Sequence, residues 1–183
     1  PEKLSEAKEQ FSTLKKLPAP RIAVLIGGSS QAYTMSYDIT QQLIKRLNKL
    51  REQGFSLMIT ASRRTGDENM RLLKEAFADD EGADFYLGDG ENPYFGYLSY
   101  ADYVLVTADS VSMISDALTT GMPTYIIPLE GGGARISKFH NHLVEKGLAR
   151  WFEGDLEAYS YEPVYVSQEL ADEIRNKMPV LSE

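Results

Sequence analysis

The stretch VLVTADSVSMISDALTTGMP, Val104 to Pro123, decides the fold. It opens as an apolar strand and runs into a turn of hydroxyls and one acid. Asp109 or Ser110 is a suitable N-cap for the helix expected from Ser110 to Thr120. Gly121 and Pro123 then stop that helix. MPTYIIPLE, the run that follows, reads as another strand. Strands apolar on both faces, each followed by a helix, indicate a parallel sheet covered on both sides.

The same alternation extends outward in both directions. RIAVLIGGSS is a continuous apolar strand ending in glycines, and Met35 to Gln53 is a helix with Ile39, Leu43, Ile44, Leu47 and Leu50 on one side. GFSLMITAS is a second strand, and Asp67 to Ala78 a second helix. ADFYLGDG is a short third strand and turn, and NPYFGYLSYA a short aromatic helix. DYVLVTAD is then the fourth strand and MPTYIIPLE the fifth. GGGARISKFHNHLVEKG is a glycine turn and a helix. Residues 1–20 form an N-terminal helix and linker, with one helix over 2–16 stopped by LPAP. Residues 21–147 form the core, and 148–183 a less regular tail with a last helix near Gln168 to Lys177. The expected fold is α/β, a Rossmann-like doubly wound parallel sheet of five or six strands in a single domain. Ligands of such sheets bind beyond the carboxyl ends of the strands.

Composition narrows the function. The chain has 183 residues, 43% of them hydrophobic, enough for a real core. A net charge of −8 argues against a nucleic-acid partner, which needs a basic face. With no cysteine, disulfides and thiolate metal sites are excluded. No apolar run is long enough to cross a bilayer and no signal peptide is visible, so a cytoplasmic location is expected. The chain starts at Pro1, as a piece of a longer protein would.

The polar residues of the opening stretch share one helix face. Ser112, Ser115, Asp116 and Thr119 stand at i, i+3, i+4 and i+7. Free amides at the helix start favour an anion such as a diphosphate, and Ser110 and Ser112 add hydroxyls. Asp116 lies about 6 Å further along the axis than Ser112, at ~1.5 Å per residue. That offset is comparable with the reach from a diphosphate to the ribose of one nucleotide. The plainer alternative is a cap and a solvated face.

Other turns at strand ends carry weaker signals. IGGSSQAY, with Gly27, Gly28 and Ser29, lets backbone approach a ligand closely, although glycines at a strand end are required structurally as often. It lacks the third glycine of a dinucleotide fingerprint, and MITAS lacks the acid after the second strand, so NAD is disfavoured. Arg63 and Arg64 at the end of the second strand suit diphosphate pairing, or else a surface salt bridge to Asp67 or Glu68. After the fifth strand, Glu130, Arg135 and Lys138 suit sugar hydroxyls. His140 and His142 are two apart and point to different sides of a helix, so they cannot share a metal and are expected as surface or acceptor-side residues. No metal site and no catalytic residue is assigned. Trp151, Phe152, Tyr159, Tyr161 and Tyr165 read as packing under the tail.

ASRRTGDEN, the run from GDGENPYFGY through PTYIIPLEG, and KFHNHLVEKGLARWFEG resemble the mitochondrial-fission protein family of plants and its bacterial homologues. Those homologues are often labelled predicted nucleoside-diphosphate-sugar epimerases. The segment is also similar to the C-terminal domain of GT-B glycosyltransferases, such as the enzyme that adds N-acetylglucosamine to the peptidoglycan lipid precursor. The resemblance implies that Ser110 and Ser112 face the diphosphate. It puts Asp116 where those transferases carry a ribose-binding Glu, and sets the Gly88–Asn92 turn, with Asn92, beside the base. Gly27, Gly28 and Ser29 would lie by the diphosphate and the acceptor, Arg63 or Arg64 on the phosphates, and Glu130 and Lys138 near the sugar. It implies a nucleotide-sugar ligand of UDP type, no other cofactor, and a peripheral membrane acceptor. The partner would be an N-terminal domain of the same protein, which supplies the other wall of a GT-B cleft. Three functions stay open: a glycosyltransferase domain, a non-catalytic scaffold, and an epimerase.

Overall fold

In the computed structural model, which describes residues 2–165, the five apolar runs read as strands lie in one parallel sheet. The chain opens with helix α1 (Glu2–Gln10), a 3-10 turn (Ser12–Lys16) and strand β1 (Arg21–Ile26). Next come β2 (Tyr33–Thr34), α2 (Tyr37–Glu52), β3 (Ser56–Ala61) and a second 3-10 turn (Arg63–Thr65). Then follow α3 (Asp67–Phe77), β4 (Ala83–Tyr86), α4 (Tyr94–Tyr100), β5 (Tyr103–Thr107) and α5 (Val111–Leu118). The last are β6 (Thr124–Ile127), β7 (Glu130–Gly131), α6 (Ala134–Glu145) and β8 (Arg150–Trp151). The helix expected near Gln168 to Lys177 lies outside the described residues.

The sheet order is β4-β3-β1-β5-β6-β8, with every pairing parallel. Central β1 shows why its strand reads as continuously apolar. Ile22, Val24 and Ile26 pack with Leu43, Leu47, Leu73 and Phe77 of α2 and α3 on one face. Ala23 and Leu25 pack with Tyr97, Ile114, Leu118 and Leu143 of α4, α5 and α6 on the other. After β4 the chain crosses to the far side of β1 and the helices change face, as right-handed crossovers require. This is a Rossmann-like doubly wound sheet. Its topological switch lies between β1 and β5, where such folds open a crevice at the carboxyl ends of the strands.

One feature departs from the sequence reading, and two that it leaves unplaced, a sixth strand among them, complete the fold. The expected helix over 2–16 breaks after Gln10, and Ser12–Lys16 winds as a tighter 3-10 turn. Ser12 and Thr13 are poor helix formers. The break lets Phe11 lie on Gly96, where a Cβ would strike its ring. The sixth strand, β8, pairs only Arg150 and Trp151 with Tyr125 and Ile126, too short a run to show a period. An antiparallel ribbon of β2 and β7 ties the turn after β1 to the turn after β6. No helix of the described residues is long and apolar enough to cross a membrane.

Candidate functional site

Hydroxyl-to-backbone bonds fasten the turns at the switch. The Gly27 N–H donates to Thr107 Oγ1 at 2.8 Å, joining the ends of β1 and β5. The Gly27 carbonyl accepts from Ser62 Oγ and from Thr65 Oγ1, the latter at 3.0 Å. The Ser29 N–H donates to the Arg64 carbonyl at 3.0 Å, and Ser29 Oγ accepts from the Met35 N–H. The glycine turn is therefore fastened to the end of β3.

Both glycines have internal reasons to be glycine. A Cβ on Gly27 would collide with the Asp109 carboxylate. Gly28 has φ of 127° and lies against the Arg64 backbone, so a side chain there would be both strained and obstructed. Arg64 pairs with Asp109 rather than with Asp67 or Glu68; Nη2 to Oδ2 is 2.8 Å. The Asp109 side chain is fully buried and that of Arg64 half exposed. From sequence alone Asp109 is only a possible cap. The cap is Ser110, whose Oγ accepts from the Met113 N–H at 3.3 Å. The first intrahelical bond of α5 runs from the Ile114 N–H to the Ser110 carbonyl, so the Val111 and Ser112 amides lie ahead of it, within the unpaired first turn. Ser112 is exposed, with its Oγ 3.4 Å from that of Ser110.

Further along α5 the hydroxyl stripe turns inward on itself. Ser115 donates to the Val111 carbonyl and Thr119 to the Asp116 carbonyl. Asp116 is half-buried and accepts the Tyr94 hydroxyl on Oδ2 at 2.8 Å. Burial first and the Asp116 charge second raise the Tyr94 hydroxyl pKa, so it stays a donor. Asn92 is joined to the same residue, its Oδ1 accepting the Tyr94 N–H. Asn92 and Asp116 thus bond to opposite ends of one tyrosine, its backbone N–H and its hydroxyl.

The remaining candidates lie apart from Asp116. Glu130 accepts the Ser36 hydroxyl at 2.9 Å and borders a hollow of about 300 Å³ with Gln42 and Arg46. Ser110, Ser112 and Asp116 are not among the residues lining it. Arg63 and Lys138 are exposed, with no ion pair among the described residues.

His140 corrects the sequence reading. It is not a surface residue: it is 1% exposed, edge-on to Trp151 at 5.3 Å between ring centroids, and Nε2 has no partner among the described residues. Burial lowers its pKa, and a hydrogen bond to the Ala108 backbone opposes that shift. His142 is exposed, so the two histidines do face different ways. In the tail, Phe152 is wholly buried and the Tyr159 hydroxyl donates to the Thr124 carbonyl, while Trp151 and Tyr165 stay exposed.

The family model described as "Mitochondrial fission ELM1" matches residues 1–178. Mitochondrial fission protein ELM1 of Arabidopsis thaliana is 33% identical over 88% of this chain and 39% of its own length. Uncharacterized protein RP120 of Rickettsia prowazekii (strain Madrid E) is 31% identical over 93% of this chain and 49% of its own. The chain thus spans less than half the length of either relative. Among solved structures it is similar to the glycotransferase of kitacinnamycin, at 15% identity and a TM-score of 0.48 over 86% of this chain and 36% of that one. It is also similar to the wall teichoic acid polymerase TagF, at 14% identity and a TM-score of 0.39 over 96% of this chain and 39% of that one. Neither likeness carries an argument about chemistry. The family is settled by sequence: the chain belongs to the mitochondrial fission ELM1 family.

Proposed function

We propose that this domain binds a nucleoside-diphosphate sugar, of UDP type, in the crevice between β1 and β5. One observation carries the reading: the open first turn of α5 and the half-exposed Arg64 guanidinium meet at the topological switch. The diphosphate sits on the Val111 and Ser112 amides with Ser112 Oγ and Arg64 beside it. Asp116 offers Oδ1 to a ribose hydroxyl, with Oδ2 held by Tyr94. Glu130 and Lys138 lie toward the sugar, and Asn92 toward the base. In a GT-B-like glycosyltransferase, this domain orients the donor and stabilises the negative charge growing on the departing diphosphate. The acceptor and any catalytic base come from a second domain facing the crevice. A non-catalytic scaffold is the second reading. It is favoured by Ser29, Ser115 and Thr119, whose side chains are engaged within the fold.

Thermal unfolding with UDP, GDP, ADP and their sugars tests the proposal. A ligand at ~100 times Kd adds about 2.7 kcal/mol, which raises Tm by several degrees. One nucleotide diphosphate is expected to do this, and Asp116→Ala to abolish most of the shift. A flat response to the whole panel would favour the scaffold.

A further inference from the structure

Asp109 is an acid at the crevice for which the nucleotide reading has no use. A buried carboxylate costs several kcal/mol in lost hydration, and a single ion pair offsets this only with good geometry. Here one oxygen meets Arg64, and the other has no partner among the described residues. Next to an incoming diphosphate this charge would also be repulsive.

The arrangement makes sense if the acid's task is to hold the arginine still. The Arg64 backbone is pressed against Gly28, and its carbonyl accepts the Ser29 N–H. Its side chain would otherwise be free to wander from an exposed turn, but Asp109 Oδ2 engages one end of the guanidinium. A guanidinium has five donors in a rigid fork. Holding Nη2 narrows the directions open to the remaining N–H groups, and half of this side chain remains open to solvent. Gly27 leaves room for the carboxylate to reach that position.

We infer that Asp109 is a positioning residue, which holds the Arg64 fork at the start of α5 so that its remaining N–H groups meet a nucleoside diphosphate. The inference rests on the nucleotide reading above. A cation already in place needs no ordering when the ligand arrives, and binding is tighter for it.

The sign of one substitution separates positioning from plain electrostatics. Asp109→Asn keeps the shape but removes the charge, replacing the charge-assisted bond that holds Arg64 with a weaker neutral one. Coulomb's law alone makes diphosphate binding tighter in that variant. Positioning makes it weaker, by about tenfold. Isothermal titration at fixed ionic strength with UDP, GDP and ADP reads this out. The proteins are wild type, Asp109→Asn, Arg64→Lys, Arg64→Gln, the Asp109→Asn/Arg64→Gln pair, and Glu75→Gln as a remote charge control. Arg64→Lys keeps the charge without the fork and is expected to lose affinity as Asp109→Asn does. Arg64→Gln is expected to cost little more once Asp109 is Asn, because the two act as a unit. Unchanged or tighter binding by Asp109→Asn overturns the inference and leaves the nucleotide reading standing. If Asp109→Asn does not fold, Arg64→Lys decides, and full affinity there overturns the inference. A wild-type chain that binds none of the three removes the nucleotide reading and this inference together.

Discussion

A methyl group at Gly27 would enter the space that the Asp109 carboxylate fills, with the Thr107 hydroxyl bond holding the backbone in place. Neither side can yield easily, because the carboxylate is also tied to Arg64. Gly27→Ala is therefore expected to lower stability by about 1–3 kcal/mol, the usual cost of overpacking. The same change should cost less in an Asp109→Ala background, where the obstruction is gone. Urea unfolding of the two single variants and the double variant gives the coupling, and strictly additive losses would refute the contact. This pair also marks how far the site can be read from sequence. The two glycines stand out in IGGSS, and so do the arginines in ASRRT, because residue type and place at a strand end suffice to flag them. Their partner does not stand out. Asp109 is eighty-two residues from Gly27 in the chain, at ~3.8 Å per residue a span only the β1–β5 pairing closes. Its role depends on that pairing, and locally it resembles a helix cap.

At the scale of the element, α6 shows what periodicity reveals and what it hides. Its span and its apolar positions, Phe139 and Leu143, follow from spacing, and both are buried. His140 joins them in the core, because α6 is roofed by the sixth strand, whose Trp151 lies edge-on to the imidazole. That strand is two residues long, too short for any pattern, so the second covering of α6 could not be anticipated. The antiparallel β2–β7 ribbon was hidden for the same reason. The longer strands were legible because each is buried on both faces. Burial of His140 has a measurable consequence. Its pKa in the folded chain lies below the ordinary value of about 6.5. The native state therefore binds fewer protons than the unfolded one through that window. Its contribution is intact above pH ~6.5 and declines as pH falls toward the folded value. Urea midpoints are expected to drop between pH 7.5 and 5.5, and His140→Gln to flatten that dependence. A slope that survives the substitution would assign the protons elsewhere.

For the whole molecule, the parallel sheet divides labour between its two ends. All six strands of that sheet have their carboxyl ends on one side, and the turns there carry Gly27, Arg64, Asp109 and Glu130. The opposite end is held by structure alone. Arg51, in the last turn of α2, forks onto both oxygens of Asp80 at 2.8 Å, ahead of β4, and also donates to the Phe55 carbonyl just before β3. Asp80 also accepts the Gly82 N–H, so it ties the entries of β3 and β4 to α2. Both side chains are about a quarter exposed, partly shielded from solvent. The Arg51 hydrogen bond is the main cause that lowers the Asp80 pKa, with smaller help from Gly82. The native state thus holds this proton less tightly than the unfolded chain. Its stabilisation is full above pH ~3.9 and is lost as pH falls through the lower folded value. Asp80→Asn is expected to cost about 1–2 kcal/mol at neutral pH, the range of a charge-assisted fork that is partly shielded. As pH falls through that lowered value the variant and the wild type should converge. If the two ends are independent, Asp80→Asn must lower Tm without changing the shift that a nucleoside diphosphate produces. Distant sites add within about 0.5 kcal/mol. A smaller ligand shift in Asp80→Asn would instead mean that the sheet transmits strain from one end to the other, and that the crevice is shaped from below as well as by its own turns.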